Sequence, residues 1–174
     1  WNPLFLQGTK TFAYEVCEQL GWRAPDTVVL PVGNGTLLLG AALAFAELQA
    51  AGVIHRVPRL VAVQAASCDP LARAFHGRPP LRRGAGGGSL AEGIAIAEPV
   101  RGAQILSAVR DSGGTFVSVD DGAVRGALRA AAAEGLLIEP TAAAALAGLS
   151  LVPDATGAGC VVAAVTGHGL KLAE

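Results

Sequence analysis

An apolar run, Thr27-Val28-Val29-Leu30-Pro31-Val32, ends in the turn Gly33-Asn34-Gly35-Thr36 and passes directly into residues 37–51, which are mostly Leu and Ala. No other feature constrains the chain as tightly. A short, β-branched apolar run bounded by turn residues suits a parallel strand covered on both faces. A helix that is apolar all round must be buried. Pro31 falls at the end of the run, where a strand must stop in any case. Strand, glycine turn and buried helix together open a β-α-β unit, and the rest of the chain must supply the sheet and the second helical layer.

The remaining sequence repeats the alternation. Residues 59–64 and 115–119 read as strands, and residues 160–165 as a last buried strand. Residues 9–20 read as an amphipathic helix on Phe12, Val16 and Leu20, with Thr9 as its cap and Gly21 as its end. Asp69 reads as a helix cap followed by proline at the first helical position, Glu139-Pro140 opens another helix, and the alanines of 142–145 continue it. Residues 101–111 direct Ile105, Leu106 and Val109 inward, and residues 121–134 direct Val124, Leu128 and Ala131 inward. The pattern predicts a single α/β domain over residues 1–174, with a mostly parallel sheet and helices on both faces. Residues 77–90 mix Gly, Pro and Arg without a period and predict a mobile loop.

Composition narrows the partners. With 13 basic and 14 acidic residues and a net charge of -1, the chain has no basic field for a nucleic-acid backbone. At 52% hydrophobic and 16% charged residues it can bury a full core. No apolar run reaches membrane-spanning length and no signal-peptide pattern is present, so a cytoplasmic protein is expected. Cys17, Cys68 and Cys160 form no CxxC pair and have no histidine at metal-ligand spacing, which predicts three reduced, buried thiols and no metal. The chain opens on Trp1 and holds no methionine, so a cut start is expected.

In an open parallel sheet, ligands bind at the carboxyl ends of the strands. Two predicted strands end in glycine-rich turns there: Val32-Gly33-Asn34-Gly35-Thr36 and Val165-Thr166-Gly167-His168-Gly169. Glycine lets a backbone approach a ligand closely. The helix behind the first turn offers unpaired N–H groups and the positive end of its dipole, and Thr36 adds a hydroxyl. Such a turn suits an anion. A P-loop would need a lysine, which the turn lacks. A dinucleotide fingerprint would need its third glycine where Leu38 stands, and an acidic residue after the next strand's end at Gln64. A monophosphate cofactor or a plain strand–helix turn remains. In the second turn, the Thr166 hydroxyl can bond a ring nitrogen without strongly favouring a protonated ring. His168 is either a base or a turn residue.

The runs Asn2-Pro3-Leu4-Phe5-Leu6-Gln7-Gly8-Thr9-Lys10-Thr11, Pro31 to Thr36, Ala91-Glu92-Gly93-Ile94-Ala95, Glu139-Pro140-Thr141-Ala142-Ala143-Ala144 and Thr166-Gly167-His168-Gly169-Leu170-Lys171 resemble, in combination, the threonine synthases. These are fold type II, tryptophan synthase β-like enzymes that use pyridoxal 5'-phosphate. The resemblance runs over nearly the whole chain and implies a C-terminal, cofactor-binding part. It implies that Val32, Gly33, Asn34, Gly35 and Thr36 cradle the cofactor phosphate, with Leu37 opening the helix behind them. It places Thr166 opposite the pyridine nitrogen, Glu92 and Gly93 near the ring, and Glu139 to Thr141 at a supporting helix start. For a complete enzyme it implies conversion of O-phosphohomoserine and water to threonine and phosphate. Cysteate synthase-like or threonine dehydratase-like chemistry is the alternative within the family.

One departure is large. The family anchors its cofactor on a lysine in a Ser-x-Lys-type motif of the N-terminal part. The only lysines here, Lys10 and Lys171, do not match it. No catalytic residue is therefore assigned, and the chain is expected to be inactive alone, though a free phosphate or sulfate should still bind its turn. A non-catalytic phosphate-binding domain, or a subunit that needs a lysine-bearing partner, is the reading from a different class. The face toward a missing part should be apolar, which makes a homodimer an expectation too. Arg78, Arg82 and Arg83, in the predicted loop, are either a clamp for a phosphorylated substrate or a solubilising surface.

Overall fold

A computed structural model describes residues 3–81, 88–152 and 159–172 of the chain. Strands β1 (Thr27–Pro31), β2 (Arg59–Ala65), β3 (Thr115–Val119) and β4 (Val161–Ala163) form one sheet in the order β3-β2-β1-β4. Every pairing is parallel. Among the described residues the helices are α1 (Pro3–Thr9), α2 (Thr11–Gln19), α3 (Thr36–Ala50), α4 (Pro70–Phe75), α5 (Gly102–Asp111), α6 (Asp121–Ala133) and α7 (Pro140–Leu149). The predicted α/β class, parallel pairing and two helical layers are all present.

Successive strand residues point to opposite faces, and both faces are covered. Val28, Leu30, Val32, Leu60 and Ala62 join a core with α2, α3, α4 and α5. Val29, Val61, Val63 and Ala65 join a second core with α6 and α7. This double burial is why β1 and β2 read as unbroken apolar runs. The tight layers depend on small residues: Gly148 of α7 lies so close to Val63 that an added Cβ would sit 2.6 Å from its Cγ2.

Several boundaries differ from the sequence reading. The predicted helix over residues 9–20 is present as α2, but a separate α1 precedes it and ends at Thr9, so Thr9 is not its cap. The Thr9 hydroxyl instead donates to the Leu6 and Thr36 carbonyls, because α1 packs across α3 where Gly40 leaves room. Asp69 precedes α4 as expected but makes no cap bond. Its carboxylate is taken by Arg73 and Ser118. The last strand is shorter than predicted and only half-buried, since β4 is an edge with a neighbour on one side alone. Of the three cysteines only Cys17 is buried; Cys160 is exposed, and none is in a disulfide. Burial pushes the Cys17 thiol above its ordinary value. No helix among the described residues is long and apolar enough to cross a membrane. No group of three or more metal-ligating side chains occurs among them either.

Asp26 ties the amino ends of three strands together. Its carboxylate accepts the Cys160 N–H at the start of β4 and the Arg56 guanidinium before β2, while its carbonyl accepts the Arg59 N–H. The Cys160 N–H first, and then Arg56, hold the Asp26 carboxyl below the usual carboxylate range. A depressed folded pKa contributes stability that is present above the unfolded value, about 3.9, and is lost as pH falls through the folded value. Asp26→Asn should therefore be less stable than the parent near neutral pH, and the gap should close below about pH 4. Urea melts across that range check it.

Candidate functional site

The sheet order reverses at β1. The chain moves outward from β1 to β2 and β3, then returns to lay β4 on the other flank of β1. Such a switch point opens a crevice at the carboxyl ends of the diverging strands. Both glycine turns leave the sheet there. The β1–β4 register pairs Thr27 with Val161 and Val29 with Ala163. The pairing ends there, with the Ala164 N–H on the Val29 carbonyl, so the turns after Val32 and Val165 both leave from the carboxyl ends of adjacent strands.

The first turn is held from behind. Gly33 is buried against the 3-10 turn Glu92–Ile94: an added Cβ would lie 2.8 Å from the Gly93 carbonyl oxygen and 2.9 Å from Ile96 Cγ1. Gly35 has φ +71° and lies directly on the Ile105 side chain of α5. That backbone, at that contact, admits glycine alone. Among the described residues no acceptor meets the N–H groups of Asn34, Gly35, Thr36 or Leu37, the free donors at the start of α3. Val32 is buried, Thr36 and Leu37 are half-buried, and Asn34 is exposed.

The other motifs close on the same place. Gly93 packs on Thr141 at the start of α7, 2.8 Å from the threonine hydroxyl to a notional Cβ. Two residues before Thr141, Glu139 accepts from the Thr166 hydroxyl at 3.5 Å, and its N–H donates to the Gly167 carbonyl at 3.0 Å. Gly167 lies against the Glu139 carboxylate with no room for a side chain. A chain of contacts thus runs from Gly33 through Gly93, Thr141 and Glu139 to Thr166. Thr166 itself is exposed, although the sequence placed it at the end of a buried strand. Among the described residues no further strand lies beyond the short edge β4 to cover it. His168 stabilises its own turn, its Nδ1 accepting the Leu170 N–H at 3.1 Å, so the ring proton is on Nε2.

Lys10 is remote from this crevice. Its ammonium pairs with Glu47 Oε1 at 2.7 Å, and Tyr14 donates to the other Glu47 oxygen. Glu47 is eleven residues beyond Thr36 on α3, about 16 Å along the helix at 1.5 Å per residue. The Glu47 carboxylate holds the Lys10 amine above its ordinary pKa, so it stays protonated and is a poor nucleophile. Arg78 is exposed. Arg82, Arg83 and the Lys171 side chain lie outside the described residues. A cavity of about 580 Å³ lies between α3 and α5, lined by Leu39, Leu43, Phe45, Arg101, Gln104 and Ser107 among others, and touches none of the turn residues.

Sequence reasoning missed one group at the site. Gln64, at the carboxyl end of β2, is fully buried and bonds the Val32 carbonyl at 3.3 Å. A glutamine closing the apolar run Leu60-Val61-Ala62-Val63 was the available signal.

Parallel sheet, switch point and two glycine turns at the carboxyl ends of adjacent strands define an open α/β protein. The family model described as "Pyridoxal-phosphate dependent enzyme" matches residues 1–167, and the chain belongs to that family. Its curated relatives include threonine synthases from Methanosarcina acetivorans, 36% identical over 175 residues, and Synechocystis, 37% identical over 172. Each match covers 98% of this chain and 43% of the relative, so the chain spans less than half the length of these proteins. Among solved structures, a fungal L-serine ammonia-lyase from Rhizomucor miehei superposes with a TM-score of 0.77 at 25% identity, covering 96% of this chain and 53% of that one. A T.th. threonine deaminase superposes with a TM-score of 0.69 at 22% identity, which bears on the fold alone; it covers 97% of this chain and 59% of that one.

Proposed function

We propose that this chain is the C-terminal, cofactor-phosphate part of a threonine synthase-like enzyme. The observation that carries the reading is the convergence of Gly33–Thr36, Glu92–Ile94, Glu139–Thr141 and Thr166 on one switch-point crevice, in a chain whose curated relatives are threonine synthases. The donor set fits a phosphate dianion: backbone N–H groups of Asn34 to Leu37 and the Thr36 hydroxyl, with no acidic side chain on the turn. Charge-assisted bonds of this kind contribute about 1.5–3 kcal/mol each. When bound, pyridoxal phosphate supplies an electron sink for chemistry next to an amino group.

The chain's own residues bind and orient. Val32 to Leu37 hold the phosphate against the positive end of α3. The Thr166 hydroxyl has one proton, directed at Glu139, and can turn it to a ring nitrogen. In either case the Glu139 N–H, bonded to the Gly167 carbonyl, holds the turn that carries the hydroxyl. The substrate of the complete enzyme is a small phosphorylated amino acid, O-phosphohomoserine, which with water becomes threonine and phosphate in the cytoplasm. Identity favours this over a deaminase: 36–37% to threonine synthases against 25% to the serine ammonia-lyase. Lys10 is committed to Glu47, and neither Lys10 nor Lys171 stands in the family's lysine motif, so this reading takes the amine that would anchor the cofactor from a part of the enzyme outside this chain.

Two measurements test the reading. Sulfate or inorganic phosphate added to the chain should shift the amide resonances of Asn34 to Leu37 saturably and leave those of α6 unmoved. Pyridoxal phosphate followed by borohydride should give no stoichiometric adduct on Lys10. Unshifted turn amides would remove the phosphate assignment. A stoichiometric adduct that turns over substrate would show the chain to be active by itself.

A further inference from the structure

We infer that Gln64 is a positioning residue for the phosphate turn, holding the peptide that carries the Gly33 N–H in a fixed plane; the inference rests on the proposed phosphate site. Gln64 is a glutamine with no exposed surface at the end of an otherwise apolar strand. Its Oε1 accepts from the Leu71 and Ala72 N–H groups, at 3.0 and 2.9 Å. An oxygen that takes two N–H donors settles the amide's orientation. Its Nε2 is therefore the group that donates to the Val32 carbonyl at 3.3 Å.

Val32 is the last residue before the turn, and its own N–H is bonded to the Val63 carbonyl at 2.8 Å. Because a peptide unit is planar, fixing the Val32 C=O also fixes the direction of the Gly33 N–H on the other side of the same bond. Gln64 thus fixes the peptide that leads into the donor N–H groups of Asn34 to Leu37. The same side chain supplies the cap that Asp69 does not make for α4. The two roles use different ends of the amide, so they can be separated.

Gln64→Glu separates them. One carboxylate oxygen still accepts from Leu71 and Ala72 in either protonation state. The other can donate to the Val32 carbonyl only while it carries a proton. Burial raises the pKa of such a carboxyl, so the bond persists in acid and becomes an oxygen–oxygen repulsion once the proton leaves. Sulfate, a dianion throughout, is titrated into parent and variant chains at about pH 5 and about pH 8, with amide shifts recorded in parallel. The expected result is near-parental sulfate affinity for the variant in acid and about a tenfold deficit in base, the size of one lost buried hydrogen bond. The amides of Gly33 to Gly35 should move with pH in the variant alone, while those of Leu71 and Ala72 stay.

A variant whose turn amides and relative affinity do not change with pH overturns the inference. So does one in which only Leu71 and Ala72 move, because Gln64 would then be a helix cap and nothing more. If the parent binds no sulfate, the phosphate assignment fails, yet the amide comparison still decides whether Gln64 holds the turn. Should the glutamate variant not fold in base, Gln64→Met replaces it: faster hydrogen exchange at Gly33 to Gly35 as well as at Leu71 and Ala72 supports the inference, and faster exchange at Leu71 and Ala72 alone overturns it.

Discussion

Gly35→Ala should unfold at markedly lower urea than the parent and lose sulfate binding. Gly35 adopts φ +71°, and a left-handed backbone costs a residue with a Cβ about 1–2 kcal/mol. The new methyl would also be driven into Ile105, which is fully buried and has no free space to move into. Overpacking of that kind costs about 1–3 kcal/mol. The sum, roughly 2–5 kcal/mol, is a large part of the 5–15 kcal/mol typical of a domain. The turn has one way to relieve both strains, which is to lift off α5, and doing so disperses the N–H groups of Asn34 to Leu37. Stability and anion affinity should therefore fall together. Gly126→Ala is the matched control. Gly126 lies mid-way along α6 with open space around its notional Cβ, so alanine there should be neutral or stabilising by up to about 1 kcal/mol. If Gly35→Ala resembled that control, the strain argued for the turn would be wrong.

The second large effect is expected at Asp69. Its carboxylate is almost fully buried between Arg73 Nε at 2.7 Å and the Ser118 hydroxyl at 2.9 Å. Arg73 in turn donates through Nη1 to the Pro79 carbonyl at 2.9 Å. One carboxylate thus joins α4, the end of β3 and the chain entering the segment after Pro79. Asp69→Ala leaves the guanidinium without its partner, and breaking one side of a buried pair costs about 3–5 kcal/mol. Asp69→Asn keeps one acceptor oxygen and should cost clearly less. Denaturant melts of the two variants measure the difference. Equal losses would mean that packing, and not the charge pair, sets the cost.

The two variants differ in what the sequence shows of them. Gly35 is legible: a glycine after an asparagine, between a β-branched run and a helix of Leu and Ala, must be a turn. Asp69 is misread. Asp-Pro before a helix spells a cap, but the carboxylate goes to Ser118, 49 residues further on. A local pattern records what a residue can do for its neighbours in the chain. It carries no record of a stronger donor arriving from another strand.

The same division holds over the whole molecule. By itself the sequence determined the α/β class, the parallel sheet and the two glycine turns, because each follows from apolar periodicity and turn chemistry within a dozen residues. Tertiary structure alone decided that β1 and β4 are neighbours, which brings both glycine turns to the same edge of the sheet at the switch point. It decided that Gly93 backs Gly33, that Glu139 holds Thr166, and that Gln64 bonds the Val32 carbonyl. It also committed Lys10 to Glu47, away from the Gly33–Thr36 turn. These are contacts between residues distant in the chain, set by the packing of separate elements, and they exist only once the sheet has formed and its two faces are covered.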